Sequence, residues 1–136
     1  MVVYETIYKR LIAIGIIDKE GNPKFEDHVK LESGGFMDLS IDFLYKGKKY
    51  FTIAMAHNYV QNGDLMADPD MEIKIIPDMK MAEALSFRQD GGLPINQHVY
   101  VEIDGKKMVY PLVKKHLNSF LSGWLLNIKK QGFTNL

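Results

Sequence analysis

The sequence predicts an α+β domain: a mostly antiparallel sheet of about six or seven strands, with N- and C-terminal helices packed on one face. Three observations carry this. Apolar residues recur at helical spacing near both ends of the chain, they alternate with polar residues between those ends, and tight-turn dipeptides punctuate the alternating part. At 136 residues the chain reads as a single domain, 1–136.

The first helix is expected over residues 3–15, where Val3, Ile7, Leu11 and Ile14 share a stripe that Lys9 and Arg10 avoid. Gly15 and the stretch Asp18–Pro23 end it. A short strand is expected near His28–Glu32, with a turn at Gly34-Gly35. The period then becomes two: Met37, Leu39, Ile41, Phe43 and Tyr45, then Phe51, Ile53 and Met55, so residues 36–56 read as a hairpin. A loop is expected over 57–69, then a strand carrying Met71, Ile73 and Ile75 that Pro77 stops. Residues 80–88 suit a further strand, and Val99, Val101 and Ile103 another. Asp104-Gly105 is a strong hairpin signal, with Lys107–Tyr110 returning from it. The last helix is expected over 111–130, opened by Pro111, with Val113, Leu117, Phe120, Leu121, Trp124 and Ile128 as its apolar stripe and Gly132 as its cap.

Alternation also sorts the two faces of the sheet. Leu39, Ile41, Ile53, Ile73, Val99 and Val101 should lie under the helices. Asp38, Ser40, Asp42, Thr52, Ala54, Ala56, Ala82, Ala84, Ser86, His98 and Tyr100 should form the opposite face. These side chains are small or polar, and a face of that kind lets a ligand or a second subunit approach.

Composition narrows the function classes. The chain has 17 Lys+Arg, 17 Asp+Glu and no cysteine. Zero net charge argues against generic nucleic-acid binding, which needs a basic footprint. The absence of cysteine removes disulfides, thiol nucleophiles and iron–sulfur ligation. Glu5, Lys9 and Arg10 interrupt the first apolar run, so no signal peptide is read there, and no apolar stretch is long enough to span a membrane. A cytoplasmic protein is the expectation. The charge is uneven, with six lysines and no acid in residues 105–136, and seven acids against three basic residues in 62–92.

The densest group of reactive side chains is the segment 57–70. His57, Asn58, Gln61, Asn62 and Asp64 are the ligand-binding candidates. Asp64, Asp68 and Asp70 are candidate oxygen ligands for a divalent metal, although the spacing is not that of an EF-hand. Asn62-Gly63 and Asp68-Pro69-Asp70 equally suit turn building. Parity puts His57 on the core face at the rim, where a carboxylate such as Asp64 would orient it as a base. His116 is expected at the edge of the core, His98 on the open face and His28 in water. No P-loop, G-x-S-x-G or dinucleotide fingerprint is present, and no catalytic residue is assigned.

Two patterns support a resemblance. Gln61-Asn62-Gly63-Asp64-Leu65-Met66-Ala67-Asp68-Pro69-Asp70, together with the tail from Leu117 through Trp124 to Gln131-Gly132-Phe133, resembles a domain-of-unknown-function family of short bacterial proteins often carried on mobile genetic elements. The resemblance implies a bacterial cytosolic setting and brings no activity or site residue with it. The leading expectation is therefore a non-enzymatic binding or accessory module, acting as a homo-oligomer or on a protein partner through the open face and the 57–70 segment. The alternatives are a hydrolase-like metal-dependent enzyme with the acidic segment as its site, and nucleic-acid binding through the basic C-terminal third.

Overall fold

The computed structural model describes residues 2–133. Helix α1 (Val3–Ile14) buries Ile7, Leu11 and Ile14, and ends at a left-handed Gly15 (φ 96°) whose N–H returns to Leu11 and Ile12. Ile16 and Ile17 continue into the core. Asp18 then turns the chain by accepting the backbone N–H groups of Glu20 and Asn22, both at 2.9 Å. Gly21 is required here: at φ +88° a Cβ would come within 2.7 Å of the Pro77 side chain.

Six strands follow: β1 (His28–Leu31), β2 (Asp38–Lys46), β3 (Phe51–Gln61), β4 (Asp64–Ile76), β5 (Met81–Gln89) and β6 (Ile95–His98). They pair antiparallel in chain order to form one six-stranded sheet. A separate hairpin, β7 (Tyr100–Ile103) and β8 (Lys106–Val109), precedes helix α2 (Pro111–Lys130). Leu117, Leu121, Trp124, Leu125 and Ile128 of α2 join the α1 stripe and Leu39, Ile41, Ile53, Met55, Met71 and Ile73 of the sheet in one core. Arg10, off the apolar stripe of α1, ties the helices together by donating to the Ser122 carbonyl and hydroxyl. The α2 cap is as expected, with Gly132 at φ 94° and the Phe133 N–H returning to Ile128. Among the described residues, no helix is long and apolar enough to cross a membrane.

Four expectations need correction. First, residues 57–69 are strand, not loop. Asn62 and Gly63 (φ 53° and 83°) make a two-residue hairpin turn, and pairing runs through Gln61↔Asp64 and Asn58↔Ala67. Asp68 and Pro69 fit because a bulge sets both opposite His57, where the missing proline N–H breaks no ladder bond.

Second, Ala82 and Ala84 are fully buried beneath the helices. They pair with Ile75 and Ile73, and the bulged residue Leu85 then shifts parity so that Ser86 pairs with Glu72 on the open face. The Ala84 N–H donates instead to Oδ1 of Asn118 at 2.8 Å, and Asn118 is itself 1% exposed on α2. Third, the strand expected through Val99 and Ile103 divides. Val99 is buried, bonds back to Leu85 and accepts from Tyr110, while Val101 leaves with β7 and is only half-buried. Fourth, Phe120 is 44% exposed and His116 is exposed, because the buried side of α2 is centred on Leu117, Leu121 and Leu125.

Candidate binding face on the open side of the sheet

The face away from the helices is organised by register. One rung crosses all six strands as His28, Asp42, Ala54, Glu72, Ser86 and His98; the next crosses them as Lys30, Ser40, Ala56, Asp70, Arg88 and Asn96. Residues two apart in a strand share a face, so both rungs lie on the open side while Ile41, Ile53, Met55, Met71 and Ile73 point to the helices. On this face the middle of β3 carries only the methyl groups of Ala54 and Ala56. The flanking strands β2 and β4 stand about 10 Å apart, twice the interstrand spacing. The result is a shallow trough with an alanine floor, Ser40 and Asp42 on one wall and Asp70 and Glu72 on the other.

The trough is ordered by its own contacts. His28 Nδ1 lies 2.6 Å from Asp42, Lys30 Nζ 3.1 Å from Asp38, and Arg88 3.5 Å from Asp70 and 3.6 Å from Asp90. Asn58 Nδ2 donates to Ser40 at 3.2 Å. Burial pushes the Asp70 carboxyl above its usual range; Arg88 pulls it back, and Glu72, Asp42 and Asp90 push it further up. Arg88, within reach of both Asp70 and Asp90, is the cation that answers this crowding of carboxylates. A cleft of about 760 Å³ lies at the end bounded by Asp38, Asn58 and Tyr59, and another of about 410 Å³ at the end bounded by Glu72, His98 and Tyr100. Lys74 stacks over Tyr50 in the second, 4.5 Å from the ring centre.

The residues singled out in the sequence are not gathered into one site. Asn58 belongs to the open face. Gln61, Asn62 and Asp64 sit at the exposed tip of the β3–β4 hairpin. Asp64 and Asp70 are six residues apart on one strand, roughly 20 Å. Asp68 lines a cleft with His57 and Trp124, whereas Asp70 sits beside Arg88 on the open face. Among the described residues, no group of three or more His, Cys, Asp or Glu side chains is placed to hold a metal ion.

His57 is on the helix side, 7% exposed, as parity requires. Its ring meets Trp124 at 5.5 Å and Phe133 at 5.6 Å, and Nδ1 faces the carbonyls of Met37 and Asp38. Burial pushes its pKa down, opposed by those carbonyls and by Asp68. The nearby carboxylate is therefore Asp68 rather than Asp64. The rungs themselves are hidden in the sequence, because Lys30, Glu72 and Arg88 come from three separate strands. Counting outward from Asn62-Gly63 as a two-residue turn finds the pairing of β3 with β4 as far as the bulge.

The fold and this face define a class: an α+β domain with both helices on one side of an antiparallel sheet and a polar, shallow face on the other. Within that class the chain belongs to the family described as a domain of unknown function, DUF6908, whose model matches residues 7–134. No curated protein and no solved structure matches the chain.

Proposed function

We propose that this chain is a non-enzymatic binding module whose open sheet face receives an extended, positively charged segment of a protein partner. The observation that carries this is the pair of rungs that are polar on both sides of an alanine floor. The floor runs along β3 from Thr52 through Ala54 and Ala56 to Asn58, about 20 Å, is about 10 Å across between its walls, and is bordered by Asp42, Asp70 and Glu72. Those dimensions suit a polypeptide lying along β3, and Glu72, the bordering carboxylate without an ion pair among the described residues, suits a lysine or arginine of it. In keeping with the cysteine-free sequence and its resemblance to short bacterial proteins, the setting we infer is a bacterial cytosol.

The other readings have less behind them. Metal-dependent hydrolysis needs converging ligands, and Asp64, Asp68 and Asp70 are dispersed over separate surroundings. Nucleic-acid binding through the C-terminal third needs a continuous basic patch. Lys114 is turned to Glu83 (3.7 Å) and Tyr100, and Lys130 lies sixteen residues further along α2, about 24 Å away.

The test is fluorescence anisotropy with short labelled peptides of extended, lysine- and arginine-rich sequence, beside glutamate-rich controls. Saturable binding of the basic peptides alone is expected. It should weaken roughly tenfold or more, about 1.4 kcal/mol, in Glu72→Gln and in Ala54→Trp. Equal affinity in wild type and both variants would place the binding elsewhere and remove the proposal.

A further inference from the structure

On the helix side, the sheet extends further than its helical cover, and the uncovered end is hollow. A cavity of about 500 Å³ opens there between the segment 22–27, the β2–β3 turn and the short turn Pro77–Met79. None of its walls comes from α1 or α2. We infer that this cavity binds a free amino acid with an aromatic side chain, its ring inside and its α-ammonium and α-carboxylate at the rim.

The floor is apolar because strand parity makes it so. Phe43 pairs with Ile53 and Phe51 with Ile75, on the side of the sheet that bears the core. The Phe43 and Phe51 rings stack with centroids 5.7 Å apart. Phe51 is buried, but Phe43 and Phe25 are only half-buried, because neither helix reaches this end. Pro23 and Pro77 add two further apolar walls. Ligand pockets hold roughly 300–1,000 Å³, with an apolar lining and a few placed polar groups, and this cavity has that build. A planar ring laid against Phe43 covers aromatic surface that the fold leaves open.

The rim narrows the class, because it carries both signs of charge. Simple alternation would place Lys46 on the open face. An extra residue at Leu44 instead turns it to the helix side, where it pairs with Phe51. Lys48 and Lys49 follow in the turn. Asp27 stands beside the other ring, since its carbonyl accepts the Phe43 N–H at 2.7 Å, and Glu26 and Asp78 complete the acidic part of the rim. None of these three lysines and three acids is in an ion pair among the described residues. A simple anion is drawn by the lysines and repelled by the acids, and a simple cation the reverse. An α-amino acid carries both charges on one carbon. With its ring on the phenylalanine pair, its carboxylate meets Lys46 and its ammonium meets Asp27.

The test is an NMR titration of isotope-labelled protein with L-phenylalanine and L-tryptophan. Three relatives each lack one part: 3-phenylpropionate the ammonium, phenethylamine the carboxylate, and glycine the ring. Saturable shifts at the amides of Phe43, Gly47 and Phe51 are expected with at least one of the two aromatic amino acids, and affinity roughly tenfold weaker or more for each relative. Lys46→Met should abolish the preference for phenylalanine over phenethylamine, and Asp27→Asn its preference over 3-phenylpropionate. Both residues are exposed, and asparagine tolerates the left-handed backbone of Asp27 (φ 41°), so both variants should fold. No shift at those amides with either amino acid at about 10 mM, tenfold above a 1 mM Kd, would overturn the inference, as would shifts confined to the open face. Equal affinity for 3-phenylpropionate would overturn it in favour of an anion site, and equal affinity for phenethylamine in favour of a cation site. An unchanged preference in either variant would also overturn it, since the charges beside the ring pair would then take no part.

Discussion

The two faces of strands β2 to β5 are built from interleaved residues of the same sequence, yet they do opposite things. Toward the helices stand Leu39, Ile41, Ile53, Met55, Met71 and Ile73, all fully buried. Toward the open side stand Asp42, Ala54, Ala56, Asp70 and Glu72, whose side chains are small or charged. Any register slip of one residue would exchange the two sets, so the apolar face that fixes the core also fixes which polar groups meet across the trough. The make-up of the open face is thus a by-product of core register, altered only where a bulge inserts a residue.

The sharpest way to break that comparison is to substitute neighbours on opposite faces. Ile53→Ala should cost about 2–5 kcal/mol in urea unfolding, as a fully buried branched side chain is replaced by a cavity. Thr52→Ala, one residue away and on the open side, should stay within about 0.5 kcal/mol. A second pair tests the bulge at Leu85. Ala84→Leu should destabilise by roughly 1–3 kcal/mol, since Ala84 is fully buried beneath the helices. Ala54→Leu should change stability by less than about 0.5 kcal/mol while obstructing the trough. If both alanines tolerate leucine equally, Ala84 does not lie under the helices and β5 pairs with β4 in a different register.

Ala84 also marks how far the sequence can be read. The two terminal helices, the alternation through Leu39–Phe43 and Phe51–Met55, and the Asp104-Gly105 hairpin are legible because each depends on local periodicity or local turn chemistry. The faces of Ala82, Ala84 and Ser86 are not, because an extra residue at Leu85 reverses parity between Ala84 and Ser86. The 57–69 segment misleads for a related reason. Its amides, aspartates and proline look like loop composition, yet the Asn62-Gly63 turn and a bulge opposite His57 accommodate them within strands. Of the candidate site, Asn58 and Asp70 stand out in the sequence among other residues. Their grouping with Lys30, Glu72 and Arg88 depends on pairing across strands distant in sequence, which no local pattern encodes.

A smaller effect comes from the polar group that serves the same bulge. Asn118 Oδ1 accepts the Ala84 N–H, and Asn118 Nδ2 donates to the Lys114 carbonyl at 2.8 Å. Asn118→Leu leaves that strand N–H buried and unpaired, a loss of about 1–3 kcal/mol. Hydrogen exchange localises it: the Ala84 amide should lose protection in the variant well before amides in the middle of β3. Unchanged protection at Ala84 would mean that another acceptor holds it.

The smallest effects, and the ones that separate the two faces by sign, lie in the pH dependence. On the helix side, burial holds the His57 pKa below its ordinary 6.5. The unfolded chain therefore takes up a proton at a higher pH than the fold does, and stability falls as pH drops from about 6.5 toward the lower folded value. On the open side, burial holds the Asp70 pKa above its ordinary 3.8. There the fold binds the proton first, so stability falls as pH rises from about 3.8 toward the higher folded value. Melting temperatures across pH 4–8 should show both arms in the wild type, with His57→Phe flattening the arm below about pH 6.5 and Asp70→Asn flattening the arm above about pH 3.8. Asp70→Asn should also melt no lower than wild type at neutral pH, because it removes a charge that the trough holds at a cost. A basic peptide bound in the trough would shrink only the second arm, since a further cation beside Asp70 lowers its pKa and leaves His57, on the other face of the sheet, unchanged.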